Sequence, residues 1–321
     1  MLGYEDVLQA AKTIEGKVER TPVMRALGLE RFFAGAEIYL KLENLQRTGS
    51  FKLRGATYKM SSLTPRQISA GVVAASSGNH AQAVAWAATA LGVKSTIVMP
   101  VDAPRIKLER TKLFGAEVVL CGTTGDEREQ KAREIAAKTG ATFVSSHADP
   151  YVIAGQGTIA LELLEQAGAL DEIVTPCGAG GLVSGVLLAA KGGPGPVAVT
   201  AVEPQGVPRF GESLLAGRPV TVPMGQTLAD GLRVSKAEEI NFEVIRRYGP
   251  RMVRQDDAHI KEMVNRVLTE QKVLAEPSSV IGLAAALEGK VDMSRGRKVA
   301  FIITGGNVDT GFLQSSADAD G

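Results

Sequence analysis

The chain of 321 residues is short of cysteine, short of aromatics and nearly without charge imbalance. Its two cysteines, Cys121 and Cys177, stand far apart and do not make the disulfide framework of a small secreted domain. Aromatic side chains are only 5% of the sequence, thin material for stacking nucleobases. With 36 basic and 35 acidic side chains the net charge is +1, so the basic excess of a nucleic-acid binder is missing too. Long apolar runs are also absent. The stretches around 182–190 and 280–287 fall far short of a membrane span and read as buried core helices. Met1-Leu2-Gly3-Tyr4-Glu5-Asp6 lacks the positive flank and apolar run of a signal peptide, which makes the cytoplasm the expected compartment.

What is present is an ordinary globular composition, 45% hydrophobic and 22% charged, long enough for about two domains. Short Val/Ile-rich runs at 37–42, 71–75, 95–99, 116–120, 172–176, 197–203 and 298–304 read as strands. Helix-length segments lie between them, at 52–63, 80–91, 104–114, 126–138, 152–166 and 182–191. Such alternation predicts an α/β fold of mostly parallel sheets with helices on both faces. No Pro/Gly/Ser linker divides the chain, which fits a small domain inserted in a larger one. Residues 315–321 are small and acidic and read as a frayed tail.

Three loops follow predicted strands, at the carboxyl ends where open α/β sheets bind ligands. Cys177-Gly178-Ala179-Gly180-Gly181 runs into an apolar helix, and a glycine loop opening a helix can cradle an anion. A tight turn that merely needs glycine explains it equally well. A dinucleotide fingerprint from Gly178 would need glycine where Val183 stands, and no G-x-x-x-x-G-K-[ST] string occurs, so a phosphate here belongs to a smaller cofactor. Ser76-Ser77-Gly78-Asn79-His80 opens another helix, and alone it reads more simply as a cap by Ser77 or Asn79. Thr304-Gly305-Gly306-Asn307 is the third. Their convergence says more than any one of them.

Gln46-Arg47-Thr48-Gly49-Ser50-Phe51-Lys52-Leu53-Arg54-Gly55-Ala56 is the most specific segment. A lysine near a phosphate cradle has a chemical use, because a desolvated amine can condense with an aldehyde cofactor. Ser50-Phe51-Lys52-Leu53-Arg54-Gly55-Ala56, the Ser76 loop, Gly178-Ala179-Gly180-Gly181, Ala154-Gly155-Gln156-Gly157-Thr158, Ala229-Asp230-Gly231, Glu276-Pro277-Ser278 and the Thr304 loop occur in one order. Together they resemble the fold-type II pyridoxal-phosphate enzymes, specifically the threonine/serine dehydratase and serine racemase group. The resemblance runs from about residue 4 to residue 309.

The resemblance implies pyridoxal 5'-phosphate as cofactor and a small hydroxy amino acid as substrate. It makes Lys52 the Schiff-base lysine and the base at Cα, with Phe51 against the cofactor ring and Asn79 on its hydroxyl. Gly178, Ala179, Gly180 and Gly181 take the phosphate, Thr304 meets the pyridine nitrogen, and Glu276 belongs to the cofactor site. Ser76, Ser77, Asn79 and His80 surround the substrate carboxylate. A neutral hydroxyl at the ring nitrogen offers no opposing charge, which weakens the electron sink and favours prompt β-elimination. Dehydration of L-threonine or L-serine therefore ranks ahead of racemisation, for which Ser77 would be the second base. A hydroxyaspartate lyase would need a further cation, for which Arg128 is the candidate, although an exposed helix pair explains that residue more simply. β-Replacement synthases show a threonine where His80 stands.

Many relatives bind a divalent cation through a glutamate and a nearby aspartate. Here Glu203 is kept and Arg209 stands in place of the acid, so the expectation is no metal and a Glu203–Arg209 ion pair. Ala179 is tolerable in the cradle if it keeps a negative φ. Cys177 is expected to be buried and inert. By the same resemblance the small domain covers 71–146, the large domain 1–70 and 147–321, and the assembly is a homodimer.

Overall fold

A computed structural model describes residues 2–309 and 311–313. Among them ten strands form two sheets. The strands are β1 (Val23–Arg25), β2 (Glu37–Leu42), β3 (Val72–Ala75), β4 (Ser95–Met99), β5 (Glu117–Leu120), β6 (Thr142–Phe143), β7 (Glu172–Pro176), β8 (Ala198–Pro204), β9 (Arg251–Gln255) and β10 (Lys298–Ile303). The larger sheet runs β1-β2-β10-β7-β8-β9, parallel throughout except for β1. The smaller runs β5-β4-β3-β6 and is all parallel. The smaller sheet is built entirely from residues inside 72–143, while both flanking parts of the chain build the larger one. The expected α/β architecture is therefore present. The tail at 315–321 lies outside the described residues.

All seven anticipated strands form, with ends shifted by a residue at most. The three that were not anticipated, β1, β6 and β9, are edge strands. They run only two to five residues, and β9 (Arg-Met-Val-Arg-Gln) has just two apolar residues set between polar ones rather than an apolar run. Helix ends moved where caps decide them. The helix expected at 152–166 begins earlier, as Pro150–Ala167, because Asp149 accepts from the N–H groups of Tyr151 (2.9 Å) and Val152 (3.2 Å) and Pro150 fills the first position. The one expected at 52–63 ends at Ser61, and Thr64 then caps a new helix, Pro65–Ala70. The apolar runs are the buried core helices Gly181–Ala190 and Pro277–Leu287.

The helix Pro150–Ala167 lies between Lys52–Ser61 and Gly181–Ala190, and glycine permits both contacts. A Cβ on Gly155 would stand 2.7 Å from Gly55 Cα, and one on Gly185 would stand 2.5 Å from Gly157 N. Beside this crossing lies a buried ionic cluster. Arg54 pairs with Glu43 (2.8 Å) and Glu162 (2.6 Å), and Lys41 pairs with Glu162 (2.7 Å). Two cations and two carboxylates, tied further by Thr21 and Thr158, leave the cluster neutral and bonded. Its loss of one partner would strand a charge in the core.

Replacing Gly185 by Ala should lower unfolding stability by about 1–3 kcal/mol, because the methyl meets backbone that cannot yield. Gly125→Ala, at an exposed position with nothing nearer than 4.0 Å, should stay within about 0.5 kcal/mol. Denaturant unfolding of the two variants checks this; equal stability would show that the crossing is loose.

Candidate active site

Lys52 opens the helix Lys52–Ser61, and the loop before it is strapped to the loop after β10. The N–H of Phe51 donates to the carbonyl of Thr304 (2.9 Å), that of Gly306 to Gly49 (3.0 Å), and Ser50 bridges Gly305. The Lys52 amine donates to the carbonyl of Ser146 (2.9 Å) and lies 5.0 Å from the centre of the Phe51 ring. Burial pushes this amine down to about 8, against an opposing pull from the Glu276 carboxylate. Ser146 leads to His147, whose backbone abuts Gly181, where an added Cβ would stand 3.0 Å from His147 Cα. The lysine and the glycine loop are thereby neighbours.

The glycine loop follows β7 and ends at Gly180, which has φ +89° and opens the helix Gly181–Ala190. A side chain on Gly180 would collide with the Phe210 ring at 2.5 Å. Ala179 keeps a negative φ, so its methyl is accommodated as expected. The carbonyls of the loop are occupied. Arg209 donates to Cys177 and Gly178, and Asn241 donates to Ala179 (2.9 Å). The N–H groups of Gly178 to Gly181 have no acceptor among the described residues. Free donors at a helix start form an anion cradle. Cys177 is fully buried and burial pushes its thiol up, as an inert residue requires.

The loop after β3 gives a second helix start. The helix Asn79–Ala90 has no side-chain cap, so neither Ser77 nor Asn79 plays the capping part that looked simpler from sequence. Ser76 instead accepts from the N–H of Gly78 (3.2 Å). The N–H groups of Ser77, Asn79 and His80 have no acceptor among the described residues. Asn79 spends its amide elsewhere, donating to both oxygens of Glu276 (2.9 and 3.1 Å) and accepting from Asn307 (2.9 Å). Burial pushes Glu276 up to about 7. His80 bonds the Val144 carbonyl (3.1 Å), and burial holds it and His147 near 3, so both imidazoles are neutral. Thr304 is buried with its hydroxyl 2.9 Å from that of Ser279, which also bonds both backbone groups of Gly305.

Two sequence expectations need correction. Glu203 and Arg209 are both fully buried but make no direct ion pair. The carboxylate accepts from the N–H groups of Phe210 (3.0 Å) and Gly211 (2.9 Å), while the guanidinium binds carbonyls. Backbone groups outcompete the pairing: the N–H groups at the start of the helix Arg209–Ala216 hold Glu203, and carbonyls of Cys177, Gly178, Val207 and Leu232 hold Arg209. Arg128 does not form the exposed helix pair that looked simpler from sequence; it donates to the Thr123 carbonyl (3.1 Å). Ser146, His147, Asn241 and Ser279 were not anticipated. Ser146, His147 and Asn241 act through backbone carbonyls, and Ser279 through its hydroxyl to Thr304 and Gly305, contacts that no local sequence signal announces.

Known proteins resemble this chain along nearly its whole length. The profile of the family described as "Pyridoxal-phosphate dependent enzyme" matches residues 14–305. An L-threonine ammonia-lyase of Thermotoga maritima is 43% identical over 313 residues, covering 98% of this chain and 77% of that protein. An L-threo-3-hydroxyaspartate ammonia-lyase of Saccharomyces cerevisiae is 40% identical, over 95% of this chain and 93% of its own. The solved structure of maize serine racemase superposes with a TM-score of 0.92 at 37% identity, covering 99% of this chain and 97% of that one.

The lowered amine of Lys52 predicts a shifted titration. In competitive acetylation mapped by mass spectrometry, Lys52 of the cofactor-free protein should become reactive as pH rises through about 8. Glu276→Gln, which removes the charge that raises the amine, should move that midpoint lower. A midpoint at about 10.4, the value of a free lysine, would contradict the burial argument.

Proposed function

The chain belongs to the pyridoxal-phosphate-dependent enzymes, and we propose that it eliminates water from small hydroxy amino acids, L-threonine and L-serine foremost, yielding a 2-keto acid and ammonia. One observation carries this reading. A lysine amine held down to about 8 neighbours a loop of four N–H groups that have no protein acceptor. The residues fit the cofactor, since Gly180 keeps the cradle open where a side chain would strike Phe210. In this reading Gly178, Ala179, Gly180 and Gly181 hold the phosphate, Lys52 the aldehyde carbon and Phe51 a ring face. Asn79 meets the ring hydroxyl with Glu276 behind it, and Thr304 meets the ring nitrogen. When bound, the cofactor withdraws electrons from Cα and makes its proton removable.

The chain's own residues do the rest. The N–H groups at the start of Asn79–Ala90, with Ser76, Ser77 and His80, grip the substrate carboxylate and fix Cα over Lys52. The Lys52 amine, neutral above about pH 8, accepts the Cα proton. Burial and the charge of Lys52 keep His80 and His147 neutral beside it, so their ring nitrogens are present as hydrogen-bonding groups rather than as cations. The hydroxyl departs as water, and hydrolysis of the resulting imine frees ammonia and the keto acid. Residues 71–146 are proposed as a unit that closes over the substrate and excludes water. The reading extends to a homodimer working in the cytoplasm, as the family resemblance suggests. No helix among the described residues is long and apolar enough to cross a membrane.

Racemisation of serine is the second reading, and one observation favours it. The Ser77 hydroxyl has no hydrogen-bond partner among the described residues, so it is free to hold a proton. Keto-acid release from L-threonine, L-serine, their D-enantiomers and threo-3-hydroxyaspartate separates the readings. Fast release from an L-substrate, falling on the order of 10³-fold in Lys52→Ala, is expected. Interconverted serine without keto acid would establish the racemase instead, and no change in any substrate would overturn both.

A further inference from the structure

We infer that Arg209 is a positioning residue for the phosphate cradle, a built-in cation that turns the loop's N–H groups toward the ligand. The inference rests on reading that loop as the cofactor-phosphate site. Because β7 and β8 are adjacent and parallel, the loops that follow them lie side by side. Arg209 comes from the second loop and is fully buried. Its Nε donates to Gly178 O (2.9 Å), one terminal nitrogen to Val207 O (2.9 Å), and the other to Cys177 O (2.9 Å), Leu232 O (3.2 Å) and, closer still, Gly178 O. One planar fork thus ties four carbonyls from three chain segments, a span that a lysine ammonium cannot match.

The consequence follows from peptide geometry. In a trans peptide the C=O and the next N–H point in opposite directions. Pinning the carbonyls of Cys177 and Gly178 to Arg209 therefore aims the N–H groups of Gly178 and Ala179 away from it. Asn241 does the same through the carbonyl of Ala179 for the N–H of Gly180. Three consecutive donors are aimed before any ligand arrives. The guanidinium also leaves a fixed positive charge behind the cradle, uncancelled by any direct carboxylate contact, which favours a dianion. A divalent cation does not fit the same place. Arg209 already occupies the carbonyl oxygens, and no group of three or more His, Cys, Asp or Glu among the described residues could hold a metal ion.

The test compares cofactor-free wild type, Arg209→Lys and Arg209→Met, each titrated by absorbance with pyridoxal 5'-phosphate and with pyridoxal, which lacks the phosphate. Affinity for the phosphorylated form should fall about 10- to 100-fold in both variants, the scale seen when supporting partners of a bound group are removed. Pyridoxal should bind all three proteins alike, a split that a merely structural role would not produce. Wild-type affinity should be the same in chelator and in Mg²⁺. Equal weakening of both ligands, unchanged affinity in folded Arg209→Lys, or a metal effect on the wild type would overturn the inference. Should Arg209→Met fail to fold, the lysine variant and the metal comparison decide. Wild-type protein that binds neither ligand would instead overturn the cofactor reading itself, and this inference with it.

Discussion

Two glycine-on-glycine helix crossings set the distances on which the site depends. Gly155 against Gly55 brings the lysine helix onto Pro150–Ala167, and Gly157 against Gly185 brings the cradle helix onto the other side. Backbone contact of this kind leaves no side chain to adjust, so the positions of Lys52 and of the 178–181 loop are fixed together. The motif Ala154-Gly155-Gln156-Gly157-Thr158, which carries no chemistry of its own, acquires a purpose here as the spacer between the two. The buried cluster of Arg54, Glu43, Glu162 and Lys41 then locks the lysine helix against rotation, at the cost of keeping four charges satisfied away from water.

The electrostatics follow from that packing. Two helices begin at the site without side-chain caps, and their free N–H groups favour anions where a phosphate and an amino-acid carboxylate would sit. Burial keeps the surrounding titratable groups in their less charged forms. The lysine is lowered, both histidines are neutral, and Glu276 is raised. A site with its donors exposed and its lysine lowered to about 8 is prepared for proton abstraction from a bound anion. The four-carbonyl grip of Arg209 belongs to the same economy, since it satisfies carbonyls that would otherwise compete for the space in front of the cradle.

Much of this is legible in the sequence, for physical reasons. The central strands β4 and β7 are buried on both faces and read as Val/Ile-rich runs. Edge strands β1, β6 and β9 are short or half polar, and nothing in their composition separates them from loops. Lys52, the glycine loop and the Ser76 and Thr304 loops stand out because strand–loop–helix joints are local and recur in order. Glu203 and Arg209 mislead because opposite charges six residues apart suggest a pair, whereas a helix start offers Glu203 its N–H groups and carbonyls from three chain segments take Arg209. Asn241 and Ser146 are silent because their work is done through carbonyl oxygens contributed by distant segments.

The claim that Lys52 and the glycine loop form one site is tested most directly by loading the protein with pyridoxal 5'-phosphate, reducing with borohydride and mapping the covalent increment by mass spectrometry. The account predicts the increment on the peptide containing Lys52, and its loss when inorganic phosphate is present in large excess during loading. An increment on another lysine, or labelling of Lys52 that phosphate does not diminish, would contradict it.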